Sequence, residues 1–550
     1  MIQRSFRLVG MVLCLPLFVH AQQPTWQAPP KLVVGVVVDQ MRVDFIYRFW
    51  DNFEEGGFKR LVNEGAFCRD AQYPYSNTDT GPGHASIFTG SVPAYHGIVA
   101  NEPYDRRLKR VGYCVEDTSA IVLGVDEKTM GLSPRPLLAS TLADEMERAS
   151  GGKAITIGIS LKDRSAILPM GRTADAAYWF HDMRVAFVSS NWYMEELPAW
   201  IKTFNQHHGA ATYMSGTWDL LLPIDRYHSP LPDNNPFESP LPGANAPVLP
   251  VDLDTLAKGK NATTAFINTP GANTILTDLA LDAIKAEGLG ADAITDLLSV
   301  SYSATDKLGH RMGPLALEVE DMYLRLDLEI ARLLKGLDER VGKDAYTLFL
   351  TADHGAPDVP AYRASLGASA GYMDLKAVED KVGSALVKTY GAGAWVLAVD
   401  DEKLFLDREL VRSKGLAIQS VQSIAAEAAR TVPGMYDVYT AHDLEHATSS
   451  SSTRWLVTNG HHPDRGSDLY FVDLPGHIAT YPASPARGTD HGGTWMYDTH
   501  VPLIFFGKGI EQGEFVKRVQ ITDVAPTIAM LIGCSLPDAT VGQAIPEVLK

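Results

Sequence analysis

Cysteine is scarce in this chain. Four occur in 550 residues, and Cys14 falls within an N-terminal leader, so only Cys68, Cys114 and Cys534 remain for the mature protein. An odd number of this size permits at most one disulfide and excludes a disulfide framework, so the fold must rest on an apolar core. With 45% hydrophobic residues it can do so. Long apolar runs are also missing. Beyond residue 21, nothing approaches the roughly 20 consecutive apolar residues of a membrane helix. Positive charge is the third deficit, with 48 Lys and Arg against 66 Asp and Glu and a net charge of -18. Such a surface repels nucleic acid and anionic membranes. Neither is expected as a partner, and an anionic substrate requires a site that reverses the field locally.

The leader spans residues 1–21. Arg4 and Arg7 precede an apolar run from Leu8 to Val19, and Val19-His20-Ala21 offers a small-residue exit. This pattern predicts a secretory signal peptide, hence a protein exported to the periplasm or beyond. Loss of those two arginines takes the charge from -18 to -20. Cys14 lacks the small residues that precede a lipidated cysteine, which argues against a lipoprotein.

Short β-branched apolar runs at Lys31–Val38, Ala154–Ser160, Leu297–Tyr302, Tyr346–Thr351 and Val501–Phe506 read as buried strands. Helical patterns separate them. In Leu317–Leu337, for example, Met322, Leu326, Ile330, Leu333 and Leu337 share one stripe. This alternation predicts an α/β fold with a central, mainly parallel sheet flanked by helices. Residues 183–260, rich in Pro, Asn and Asp, and residues 356–485, with their own strands and a helix near Leu416–Arg430, interrupt it. They are expected to be inserted lid or cap segments on a single catalytic domain spanning 22–550. No repeat is visible, and a monomer is expected.

Acids and histidines recur at the strand ends. Asp39 follows the first strand, where open α/β sheets place their ligands. Asp306 and His310 lie four apart after the strand at 297–302, Asp353-His354 follows the strand at 346–351, and Asp490-His491 lies just ahead of the strand at 501–506. A lone Asp-His pair is usually incidental, but three clusters tied to strand ends point to metal. Carboxylate and imidazole are zinc ligands, and three protein ligands per ion leave positions open for chemistry. Asp39, Asp306, His310, Asp353, His354 and His491 supply six donors for two ions. Such a pair clamps the entering and leaving oxygens of a displacement at phosphorus. Asp490 and His500 are the reserves, and His84 and His96 are read as core or orienting residues.

The stretch SNTDTGPGHASIFTG, residues 76–90, offers the hydroxyls. Thr80 directly precedes Gly81-Pro82-Gly83, whose proline suits the first turn of a helix. A threonine at a helix N-terminus is commonly only a cap. The same place also favours a bound phosphoryl anion. Ser76 and Thr78 are read as turn residues, and Asp79 as a neighbour pointing elsewhere. Lys162 and Arg164, two apart after the strand ending at Ser160, point the same way in extended backbone and suit the oxygens of a terminal phosphate. Asn101 can donate an amide to the same oxygens.

With these residues in view, the chain resembles the alkaline phosphatase superfamily, most closely its PafA-type secreted zinc alkaline phosphatases. The resemblance runs from about Lys31 to the C-terminus. It rests on VVDQMRVD, TGPGHASIFTGSVPAYHGI, SLKDRSAIL, Asp306-x-x-x-His310, Ala352-Asp353-His354-Gly355, TDHGGTWMYDTHVPLIFFG and ITDVAPTIAMLIG. It implies that Thr80 is a nucleophile forming a phosphothreonine intermediate. One zinc would be held by Asp306, His310 and His491, and the other by Asp39, Asp353, His354 and the Thr80 oxygen. Asn101, Lys162 and Arg164 would bind the phosphoryl oxygens of small phosphate monoesters. Sulfatase relatives carry a modifiable Cys or Ser in a Cys-x-Pro-x-Arg-like context, which Thr80-Gly-Pro-Gly-His lacks. Asp490 beside His491 departs from the family pattern. The rival expectations are a phosphodiesterase or nucleotide pyrophosphatase with the same metals, and a secreted metal- or phosphate-binding protein without turnover.

Overall fold

The computed structural model describes residues 28–126, 129–446, 452–481 and 486–550; the expected leader lies outside them. The central strands are β1 (Leu32–Val38), β2 (Ala66–Gln72), β3 (Thr156–Ser160), β4 (Ala176–His181), β5 (Ala186–Ser190), β6 (Asp296–Tyr302), β7 (Tyr346–Thr351) and β8 (His500–Gly507). The sheet runs β2-β8-β7-β1-β6-β3-β4-β5, extended at its two edges by the short strands Gly513–Phe515 and Val122–Leu123. It is mixed but mainly parallel: β8 pairs antiparallel with both β7 and β2, and β5 with β4. β1 is buried along its whole length. Helices cover both faces of such a sheet, which is why LVVGVVV is continuously apolar rather than alternating.

Register positions the functional end of the sheet. β1 pairs in parallel with β6, Val38 opposite Tyr302, and with β7, Val37 opposite Thr351. The three strands therefore end in line, and the residues that follow them emerge side by side. β8 runs the other way, with Leu503 opposite Thr351, so the loop ahead of it arrives at that same edge. Helix α1 (Thr80–Thr89) is buried throughout and packs on α2 (Asp163–Met170). Helix α3 (Ala304–Met312) follows β6, and α4 (Leu317–Leu337) follows α3.

A second sheet of four strands is formed by Val396–Asp400, Lys403–Leu406, Leu469–Asp473 and Met435–Thr440. The helices Leu375–Tyr390 and Ile418–Ala429 cover it around a separate apolar cluster that includes Val378, Leu404, Val421 and Phe471. Three central strands escape the hydrophobic-run reading. β2 carries Arg69 at an exposed and Asp70 at a half-buried position. β4 and β5 form a hairpin at the sheet's far side, and β5 belongs to the main sheet although it falls within 183–260. Cys68, Cys114 and Cys534 are all free thiols.

Gly35, in the middle of β1, marks how tightly the core is filled. A Cβ there would lie 2.6 Å from Phe349 Cζ and 3.0 Å from Phe88 Cζ, two rings already packed with centroids 5.7 Å apart. Gly35→Ala is expected to cost about 1–3 kcal/mol through overpacking, read as a lower midpoint in urea. An unchanged midpoint would show that the rings can yield freely.

Candidate active site

The in-line strand ends bring the expected acids and histidines together. Asp39 follows β1, Asp353 and His354 follow β7, and Asp306 and His310 lie on α3; the three carboxylates are at most 1% exposed. Donor atoms of Asp39, Asp353 and His354 lie within 4.8 Å of one another, as do those of Asp306, His310 and His491. The triplets adjoin: the His354 and His491 rings stack with centroids 3.5 Å apart. His310 Nε2 is 3.0 Å and His491 Nε2 3.8 Å from Asp306 Oδ1, and His354 Nε2 is 3.6 Å from Asp39 Oδ1.

The residues fit divalent cations. Asp39 Oδ1, Asp353 Oδ2 and His354 Nε2 are buried without a hydrogen-bond partner, a costly arrangement in a dry site unless a cation satisfies them. Each ring is also turned for ligation. Nδ1 faces a backbone carbonyl in His310 (Thr489 O, 3.1 Å), His354 (Gly355 O, 3.0 Å) and His491 (Thr78 O, 2.9 Å). In His354 and His491 an Nδ1–H donating there leaves the Nε2 lone pair toward the carboxylates; in His310, against the effect of burial, the adjacent Asp306 raises the imidazole to about 9, so a cation must displace its Nε2 proton. Burial pushes His354 down to about 3 and His491 well below the usual imidazole range, so both are neutral, as ligands must be. Burial and the neighbouring Asp39 raise Asp353 well above the carboxylate range. Asp306 goes well below it in spite of burial, because His310 and Lys162 outweigh the desolvation.

Thr80 is the first residue of α1, fully buried, with Asp79 in extended backbone at the cap position. Lys162 Nζ donates to Thr80 Oγ1 at 3.1 Å, and Arg164 Nη2 reaches it at 3.4 Å. The same ammonium lies 2.7 Å from Asp39 Oδ2 and 2.6 Å from Asp306 Oδ2. Burial alone would lower its pKa, but Asp306 and Asp39 raise it, so Lys162 stays charged. Asn101 Oδ1 accepts from Gly81 N at 2.7 Å, which fixes that amide beside the first turn of α1. Gly83 allows α1 to approach this closely, since a Cβ there would lie 2.4 Å from the Asp353 carbonyl oxygen.

The other residues considered sort cleanly. Thr78 Oγ1 is directed at Gly493 O at 3.4 Å, and Ser76 N donates to Leu456 O; both belong to the turn. His84 contacts Thr80 O and Ser301 Oγ, both at 2.9 Å, and His96 contacts Ser86 Oγ. His500 lies at the start of β8 against Arg69 O and takes no part in either triplet. Asp490 is exposed, 3.6 Å from His310 Nδ1. Asp79 is closer to the site than expected, with Oδ1 3.7 Å from His491 Nδ1. Two supporting residues carry no sequence signal. Gln40, at φ 62, donates its backbone N to Asp353 Oδ1 at 3.1 Å and Nε2 to Asp306 Oδ1 at 3.0 Å. Tyr113 OH accepts from Arg164 Nη1 at 3.0 Å and donates to Asp163.

Comparison with known proteins agrees with this geometry. Residues 33–494 match the type I phosphodiesterase / nucleotide pyrophosphatase family. The chain is 36% identical to a protein of Myroides odoratus named calcium-transporting ATPase, over 95% of each chain. It is 35% identical to alkaline phosphatase PafA of Elizabethkingia meningoseptica, over 98% of each. The crystal structure of wild-type alkaline phosphatase PafA superposes with a TM-score of 0.90 at 34% identity, covering 95% of this chain and 99% of that one.

Asp353→Ala and His491→Ala remove one donor from different triplets. Each is expected to lower bound divalent metal by about one ion per chain, because three-ligand sites do not tolerate loss of a ligand. Emission spectroscopy on dialysed protein measures it. Undiminished metal in either variant would detach that residue from ion binding.

Proposed function

Since the chain belongs to the type I phosphodiesterase / nucleotide pyrophosphatase family of the alkaline phosphatase superfamily, we propose that it is an alkaline phosphatase, hydrolysing phosphate monoesters to alcohol and inorganic phosphate. The observation that carries this reading is the convergence of Lys162 and Arg164 on Thr80 Oγ1 between two triplets of metal-ligand type. The ions are assigned as two Zn²⁺, because the donors mix imidazole with carboxylate. One would be held by Asp306, His310 and His491, the other by Asp39, Asp353 and His354 with the Thr80 oxygen. Bound there, they would supply the positive charge that favours an ionised Thr80 hydroxyl and a departing ester oxygen.

The chain's own residues account for the rest. The dipole of α1 draws the phosphoryl anion to Thr80. Thr80 Oγ attacks phosphorus and gives up its proton, the bond to the alcohol oxygen breaks and that oxygen takes up a proton, and a phosphothreonine forms. Water then cleaves the Oγ–P bond and releases inorganic phosphate. Lys162 and Arg164, with Asn101, bind the non-bridging oxygens throughout, Arg164 steadied by Tyr113. Those cations separate this reading from the diesterase suggested by the family's description. A diester carries an alkyl group where one of them must meet an oxygen, whereas a monoester dianion engages both. ATP also ends in a terminal phosphoryl group, so the name of the Myroides relative is compatible with the same clamp. No helix among the described residues is long and apolar enough to cross a membrane. The leader at 1–21 supports export, to the periplasm or beyond. We further assign one catalytic domain, with segments 183–260 and 356–485 as insertions, acting as a monomer.

Thr80→Val should lower turnover of an aryl phosphate monoester on the order of 10³-fold or more while keeping both ions. A protein that merely binds metal and phosphate would have no turnover to lose. Lys162→Ala with Arg164→Ala should cost monoester kcat/KM about 10²- to 10³-fold and leave diester cleavage within about tenfold. Equal losses on the two substrates would refute the assignment of these cations.

A further inference from the structure

The loop that carries His491 is held between the stretch before Thr80 and the second sheet. On one side, Asn77 N donates to Gly492 O at 2.9 Å, and Thr78 Oγ1 is directed at Gly493 O. On the other, Trp495 Nε1 donates to Asp473 O at 3.1 Å, at the end of the strand Leu469–Asp473. Glu402 lies against Gly492, where an added Cβ would be 3.3 Å from Glu402 Oε2 and 3.9 Å from Asp79 Oδ1. That Asp79 oxygen is also the one 3.7 Å from His491 Nδ1. Glu402 is fixed in turn by Phe471 N, which donates to its carbonyl at 2.7 Å, and Lys403 stands opposite Tyr470 in the sheet. Where loop and sheet meet there is a cavity of about 10 Å³, whose lining includes Glu402, Lys403, Asp473, Gly492 and Thr494. It has room for about one water molecule.

Four buried polar atoms of these lining residues have no hydrogen-bond partner among the described residues: Glu402 Oε2, Lys403 Nζ, Asp473 Oδ1 and Thr494 Oγ1. Lys403 is 4% exposed and Asp473 3%. Burial lowers the pKa of Lys403, but Asp79, Asp401, Asp400 and Glu402 outweigh it, so the ammonium stays charged. A buried ammonium beside buried carboxylate oxygens is costly unless something joins them.

We propose that one water molecule in this cavity joins Lys403 Nζ to Glu402 Oε2 and Asp473 Oδ1, and that Lys403 is thereby a positioning residue for His491. The four atoms match the capacity of water. Lys403 Nζ and Thr494 Oγ1 donate to its two lone pairs, and the two carboxylate oxygens accept its two protons. A metal ion is disfavoured because an ammonium already lines the cavity, and an anion because carboxylates do. The bridge ties the second sheet to the residues directly after His491. Lys403 also offsets the like charges of Asp79 and Glu402, which flank Gly492. Without that cation the two acids push on the loop, and His491 moves off Asp306 and His310. The inference rests on the reading of His491 as a zinc ligand and adds the inserted segment 356–485 as a determinant of that ion's affinity.

Lys403→Met removes the charge and keeps the bulk. A chelator titration of the full-length, zinc-loaded variant is expected to show the ion of Asp306, His310 and His491 held about 10- to 100-fold more weakly than in wild type, with the other ion unchanged. Anomalous diffraction at the zinc edge identifies which ion leaves first. Lys403→Arg, which keeps the charge, should recover part of the lost affinity. Equal weakening of both ions would show a merely structural role, and unweakened binding would show none; either overturns the positioning role. If Lys403→Met does not fold, wild-type crystals decide. High-resolution diffraction should show one ordered water within hydrogen-bond distance of Lys403 Nζ, Glu402 Oε2 and Asp473 Oδ1. A direct Lys403 ion pair in its place, a metal ion or an empty cavity would refute the bridge. Wild-type protein without zinc at the His491 triplet would overturn the metal assignment, and the positioning role with it, whatever the cavity holds.

Discussion

Everything at the functional end of this molecule depends on holding Asp39, Asp306 and Asp353 together out of water. Three carboxylates so placed repel one another, and each has lost its hydration. One buried ammonium, Lys162, touches two of them and the Thr80 oxygen as well. That single cation offsets only part of the charge, and the orphaned donors of Asp39, Asp353 and His354 show where more must be placed. The metal-binding character of the site therefore follows from an electrostatic deficit. The same deficit explains how a chain with net charge -18 can accept an anion, because the field is reversed only where the cations collect.

The sheet makes this crowding possible at modest cost. β1, β6 and β7 are in register and end at one level, so Asp39, Asp306 and Asp353 reach one spot just past the strand ends. The reversed β8 brings His491 from the opposite chain direction. The stiffness of that platform lies in rings and backbone close to van der Waals contact around Gly35 and Gly83. The side chains of the candidate site sit partly on loops (Asp39, Asp353, His354, His491) and partly on α1 and α3 (Thr80, Asp306, His310), all tied to a rigid support, an arrangement that keeps geometry precise while leaving the mouth of the site free to vary.

The catalytic floor was legible in the sequence because its elements are long, apolar and punctuated. Lys31–Val38 and Tyr346–Thr351 can be read as strands from hydrophobicity alone; Asp39 follows the first at once, and Asp353 follows the second after Ala352. The Leu317–Leu337 stripe coincides with α4. What escaped had no such signature. β2 breaks its apolar pattern at Arg69 and Asp70, and β5 hides in a segment whose Pro and Asn content suggested an insertion. Gln40 and Tyr113 act through single hydrogen bonds that spacing cannot reveal. Asp79 was read as pointing away because a helix cap and a neighbour of His491 look identical in one dimension.

Anomalous diffraction at the zinc absorption edge, from crystals grown with the metal, tests the central claim most directly. The account predicts two strong peaks about 3.5–4 Å apart, one against Asp306, His310 and His491 and the other against Asp39, Asp353 and His354, with Thr80 Oγ1 at the second. A single peak, or metal bound elsewhere while these side chains hold their present positions, would contradict it.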